Sequence, residues 1–154
     1  MSNVVQLPNI LPSGDIRPLI PNGTYNLYFQ GYETQYYFGK SPKLVMHFQI
    51  VDLGPYFETP LTRWYSVERF VGKPARNGGF KAKGQTSVFL IEYFNCFPFA
   101  KRPTRLDRIP MNEWDKHVFK AKVSSVKENS KQTRLPEQIQ YSKIECLLGV
   151  NDDF

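Results

Sequence analysis

The chain has 154 residues, the length of one domain, with 41% apolar residues and enough aromatic side chains (12 Phe, 9 Tyr, 2 Trp) for a sizeable core. Twenty Lys and Arg against fourteen Asp and Glu leave a net charge of +6, which favours polyanionic partners and fixes nothing about the fold. Two cysteines (Cys96, Cys146) and two histidines (His47, His117) supply neither a disulfide framework nor a recognisable zinc site. No apolar run approaches the ~18 residues of a membrane span, and Met1 to Asp15 does not read as a signal peptide. A cytoplasmic protein without metal or cofactor is expected.

Residues 1–22 carry four prolines and read as an extended or disordered N-terminal arm. Thr24 to Gln30 alternates Tyr25, Leu27 and Phe29 on one face, a first strand, and residues 31–42 read as a polar, aromatic-rich loop. Residues 43–53 alternate most clearly, with Leu44, Met46, Phe48 and Ile50 on one face. A third strand is expected over 56–67, with Pro60 marking an edge or bulge. Residues 68–85 hold four glycines and no periodicity, so they read as a long functional or disordered loop. Over 86–97, β-branched and aromatic content suits a strand. Leu90, Ile91, Phe94 and Phe97 keep helical spacing, Thr86 or Ser87 can cap, and Pro98 stops the run, which selects helix. Residues 118–126 and 139–150 give the fourth and fifth strands, and 151–154 form a short acidic tail.

Three strands, a long connection with one helix, then two strands is the order of an OB-fold, a five-stranded Greek-key barrel with its helix between strands three and four. The expected architecture is therefore all-β with one helix, over residues 23–150. A generic α+β sheet is the rival.

Such a barrel binds along strands two and three, between the first hairpin loop and the loop joining strands four and five. Single-stranded nucleic acid needs cations for phosphates and rings for bases there. The first loop offers Tyr36, Tyr37 and Lys40, and the third strand Arg63, Trp64 and Tyr65. Lys120 and Lys122 share a face of the fourth strand, as do Tyr141 and Lys143 on the fifth, with Lys131 and Arg134 in the loop between. From Arg63 to Lys83, six cations including Arg76, Lys81 and Lys83 face one acid, Glu68, and Lys101, Arg102, Arg105 and Arg108 add a second basic stretch.

The chain ends Asp152-Asp153-Phe154. With the element order, this tip resembles the bacterial single-stranded DNA-binding proteins and their phage analogues, OB-folds ending in an acidic tip closed by phenylalanine. The resemblance covers the element order and the last residues, with no motif between. It implies single-stranded DNA as ligand, with RNA as a further option. Replication or recombination proteins are then partners, docked through the three tip residues. The chain departs from that pattern in having no long linker between Val150 and Asn151, which leaves the tip little reach. The stretches GTYNLYFQGYET and KLVMHFQIVD also resemble small proteins of phages and mobile elements. Barrels of this type often pair through strand edges into homodimers, although no pattern here specifies one.

An enzyme is not expected. No Walker-type loop, nucleophile elbow or metal-ligand cluster is present, and Asp52, Glu58, Glu68 and Glu92 show no nuclease spacing. The leading expectation is non-catalytic, largely sequence-independent binding of single-stranded DNA. The alternative is a phage or mobile-element interaction module, an inhibitor or adaptor without direct nucleic-acid binding, using the aromatic first loop as a hydrophobic patch.

Overall fold

The computed structural model describes residues 18–37, 39–128, 134–135 and 140–153. The strands are β1 (Gly23–Tyr37), β2 (Ser41–Ile50), β3 (Pro60–Ser66), β4 (Arg69–Val71), β5 (Gly79–Lys81), β6 (Val118–Val126) and β7 (Tyr141–Val150). One helix, α1 (Val88–Cys96), and a single 3-10 turn at Trp114–Lys116 lie between β5 and β6. Five strands form one antiparallel sheet in the order β3-β2-β1-β6-β7, and β4 and β5 make a separate hairpin. The sheet is not closed into a barrel: its ladders end at β3 and β7. These two edges nevertheless approach each other, and α1 packs against both.

β1 is twice as long as its alternation suggests. A bulge between Phe29 and Gly31, with Gly31 at φ 144°, shifts the side-chain phase by one residue. Leu27 and Phe29 face inward before it, and Thr34 is buried after it opposite Leu44. The expected loop at 31–42 is therefore mostly strand, paired with β2 as far as Tyr37 opposite Ser41. The third strand, in contrast, starts only at Pro60. Residues 51–59 fold into turns in which Phe57 N–H donates to Gly54 O and Glu58 N–H to Ile50 O.

Residues 68–85 are not structureless. Phe70 and Phe80 face each other across the β4–β5 hairpin and are buried. The hairpin tip docks on β1, where Thr34 N–H donates to Ala75 O at 3.0 Å and Asn77 N–H to Tyr32 O at 2.9 Å. β6 covers β1 only from Gly23 to Tyr28, so the tip satisfies edge groups that β6 leaves uncovered.

Helix α1 begins after an extended Ser87 and ends before Pro98, as its spacing requires. It buries Phe89, Leu90, Tyr93 and Cys96 against the inner face of the sheet, where Leu27, Met46, Phe48, Phe119 and Trp114 complete the core. The end of the N-terminal arm belongs to this body. Ile20 is buried, and Ser142 binds it from β7 while Ser142 N–H donates to Pro18 O at 2.8 Å. Among the described residues no helix is long and apolar enough to cross a membrane.

Candidate nucleic-acid interface

The two faces of the sheet sort the candidate residues. On β3 the register places Leu61, Arg63 and Tyr65 opposite Phe48, Met46 and Leu44, on the inner face. Thr62, Trp64 and Ser66 stand opposite His47, Val45 and Lys43, on the outer face. Arg63 and Tyr65, expected on the binding surface, therefore lie on the inner face of the sheet. Tyr65 is only 2% exposed, and its hydroxyl donates to Glu92 at 2.7 Å. Arg63 caps the Tyr65 ring at 4.4 Å and donates to both carboxylate oxygens of Glu92, at 3.1 and 2.5 Å. Glu92 also accepts Leu147 N–H at 2.9 Å, so α1 is fastened to both edges of the sheet. Burial, then the neighbouring Glu92 carboxylate, pushes the Cys96 thiol up to about 12, which leaves it protonated at neutral pH.

Trp64 and Tyr37 meet on the outer face with ring centroids 5.7 Å apart, and Val45, opposite Trp64 in the register, is 1% exposed despite pointing away from the core. Lys43 completes this cluster, its Nζ 5.9 Å from the centre of the Tyr37 ring and hydrogen-bonded to Ser66 Oγ. Lys40 is exposed in the turn between β1 and β2. Arg76, exposed at the hairpin tip, pairs by its backbone with Glu33, whose carboxylate lies 2.6 Å from His47 Nε2. Tyr36 turns the other way and packs on Phe70 at 4.8 Å, half exposed.

The outer face continues across β6 and β7. Phe119, Ala121 and Val123 face the core, so Lys120 and Lys122 point outward, and Lys122 pairs with Glu145 at 3.2 Å. Tyr141 and Lys143 take the corresponding outward positions of β7. Arg134, exposed, pairs by its backbone with Glu128 in the β6–β7 loop, and with Lys127 and Asn22 it lines an open groove of roughly 650 Å³. Lys81 pairs with Glu68 at 3.1 Å, whereas Lys83, expected with the single-strand cations, follows buried Ala82 on the inner side of the sheet, away from Trp64, and is exposed with no ion pair among the described residues. Lys131 and Phe154 lie outside the described residues.

The tail is held rather than extended as far as Asp152. Asn151 N–H donates to Val118 O at 2.7 Å, and Asp152 sits 2.6 Å from His117 Nδ1 and accepts Val118 N–H at 3.0 Å. The His117 contact, then the Val118 N–H, holds the Asp152 carboxyl below its ordinary value. Asp153 is exposed.

Sequence reasoning gave no role to the Glu33–His47 pair and did not find Glu92 as the buried partner of Arg63. The first becomes visible only once the Gly31 bulge puts both residues on one face. The second needs the inward turn of Arg63, for which an isolated arginine on a strand gives no signal. The four carboxylates considered for catalysis do not converge: Asp52 binds Asn26, Glu68 binds Lys81, Glu92 binds Arg63, and Glu58 sits in a turn. No family model, curated protein or solved structure matches this chain.

Proposed function

We propose that the chain binds single-stranded DNA along the outer face of its sheet, without catalysis and largely without sequence preference, in support of DNA replication or recombination. The supporting fold reading is an opened OB-type barrel: in its order β3-β2-β1-β6-β7, the strands that would close it, β3 and β7, already lie close and are bridged through Glu92. The observation that carries the functional reading is the outward cluster of Trp64, Tyr37 and Lys43. It brings two rings and an ammonium together on one outward surface, a combination suited to stacking on bases and neutralising phosphates. Lys40, Arg76, Lys120, Lys122 and Lys143 extend the positive charge of that surface.

Fluorescence anisotropy of a labelled ~30-mer oligo-dT against salt, with duplex and RNA competitors, tests it. Binding that weakens with salt and prefers the single strand is expected. Trp64→Ala should cost about 1–3 kcal/mol of binding free energy, the usual worth of one stacked base. No binding of oligo-dT at low salt would sink the proposal. The RNA competitor decides whether a 2′-hydroxyl is tolerated.

A second reading, a protein-interaction module of a phage or mobile element, draws support from one apolar stripe. Val88 and Ile91 on α1 are 57% and 51% exposed, and Phe99 just beyond it is fully exposed. Pull-down of a specific partner that survives nuclease treatment, together with no oligo-dT binding, would favour it.

A further inference from the structure

We infer that the protein carries a second, separate site for a nucleic-acid backbone, on the opposite side of the sheet from Trp64, formed by Lys83, Arg102, Arg105 and Arg108, and that it takes a duplex segment. The inference rests on the single-strand reading above and extends it.

Two stretches of chain, residues 82–85 and 102–108, build this surface. They run side by side, tied by Ala82 N–H to Leu106 O at 2.9 Å, Gln85 Nε2 to Pro103 O at 3.0 Å, and Arg102 Nη1 to Gln85 Oε1 at 3.3 Å. Ala82 and Ile109 are buried in the core, so this layer covers the inner face of the sheet, whereas Trp64, Tyr37 and Lys43 leave from the outer face. The four cations are all exposed, and Asp107 is the one carboxylate in either stretch. Asp107 is occupied by Arg105 through two hydrogen bonds of 3.0 and 2.8 Å, and this pairing with Arg105 holds its carboxyl low. Lys83 and Arg108 form no ion pair among the described residues, and Arg102 is steadied over the Phe94 ring at 4.7 Å.

The excess positive charge is thus not spent internally. An arginine held by a ring and a glutamine side chain is pre-oriented, which lowers the entropy lost on meeting a phosphate. Neither stretch contains an aromatic residue, and the Phe94 ring beside Arg102 is capped by its guanidinium, so the surface offers cations for phosphates and no ring of its own for a base, which suits a duplex rather than a single strand. Two faces on opposite sides of one sheet would let one molecule hold a single strand and a duplex at once.

The test is co-capture. Biotinylated oligo-dT is immobilised, saturated with the full chain and washed, and a labelled 20-base-pair duplex of unrelated sequence is then passed over it. Wild-type protein should capture the duplex. The triple variant Lys83→Ala/Arg102→Ala/Arg108→Ala should load equally on oligo-dT and lose at least tenfold of the duplex signal. The salt dependence of the remaining capture should flatten by up to about 2.7 units of log–log slope, at about 0.9 per phosphate on duplex. The double variant Lys83→Glu/Arg108→Glu, which leaves the Arg102 packing alone, should behave alike. Protein that loads on oligo-dT and captures no duplex, or captures it equally in both variants, overturns the inference and leaves the single-strand reading intact. Failure of the wild type to load on oligo-dT overturns that reading itself.

Discussion

Glu92 is 5% exposed and accepts four hydrogen bonds, from Arg63 Nε and Nη2, Tyr65 Oη and Leu147 N–H. A carboxylate in such a place tolerates burial because its charge is matched by a guanidinium and its lone pairs are filled. Glu92→Ala leaves Arg63 charged at the sheet edge and Leu147 N–H without an acceptor. The expected loss is about 3–5 kcal/mol in urea unfolding, with Glu92→Gln losing less. Asp152 gives a pH dependence of definite sign. Its folded carboxyl titrates below the unfolded value of about 3.9, so its contribution is present above that pH and is lost as pH falls through the folded value. The stability difference between wild type and Asp152→Asn should therefore shrink as pH falls below about 4 and be lost in strong acid. A difference that persists in acid would assign the effect to packing instead.

At the level of elements, the β4–β5 hairpin depends on a glycine. A Cβ on Gly78 would come 2.4 Å from Thr34 Oγ1 and 2.9 Å from Ala75 O. Thr34 is buried and already accepts Ala75 N–H at 3.0 Å, so it has little room to yield. Gly78→Ala should lift the tip from β1, cost about 1–3 kcal/mol, and open residues 72–78 to limited proteolysis. This hairpin also marks where the sequence ran out. Each of its strands has three residues with one facing inward, too short a span for alternation to register. The longer elements were legible because they offer three or more periodic positions: β2 and β6 by alternation, α1 by three- and four-residue spacing. The bulge near Gly31 hid the second half of β1 by inverting its phase. The same limit applied to the site. Arg63, Trp64 and Tyr65 are consecutive, and only the pairing of Trp64 with Val45 and of Arg63 with Met46 tells which side each takes.

On the scale of the whole molecule, the charge of +6 is unevenly spent. Lys122 answers Glu145 across β6 and β7, whereas Lys120 stands exposed without an ion pair among the described residues. If both lie along the bound strand, Lys120→Ala/Lys122→Ala flattens the salt slope of oligo-dT binding by roughly 1.4, at about 0.7 per phosphate on single strands. A slope lowered by only half that figure would identify Lys122 as held by Glu145, and an unchanged slope would remove both from the path of the strand. The Glu92 fastening has a further consequence, in time rather than in energy. Its partners lie 27, 29 and 55 residues away along the chain, on strands that must each be placed before the helix can join them. Bonds that need three distant segments at once form late, after the loop-closure entropy has been met. Removing them should leave the refolding rate nearly unchanged and speed unfolding by almost the whole of the lost stability, so that Glu92 governs how long the folded molecule lasts rather than how fast it is made.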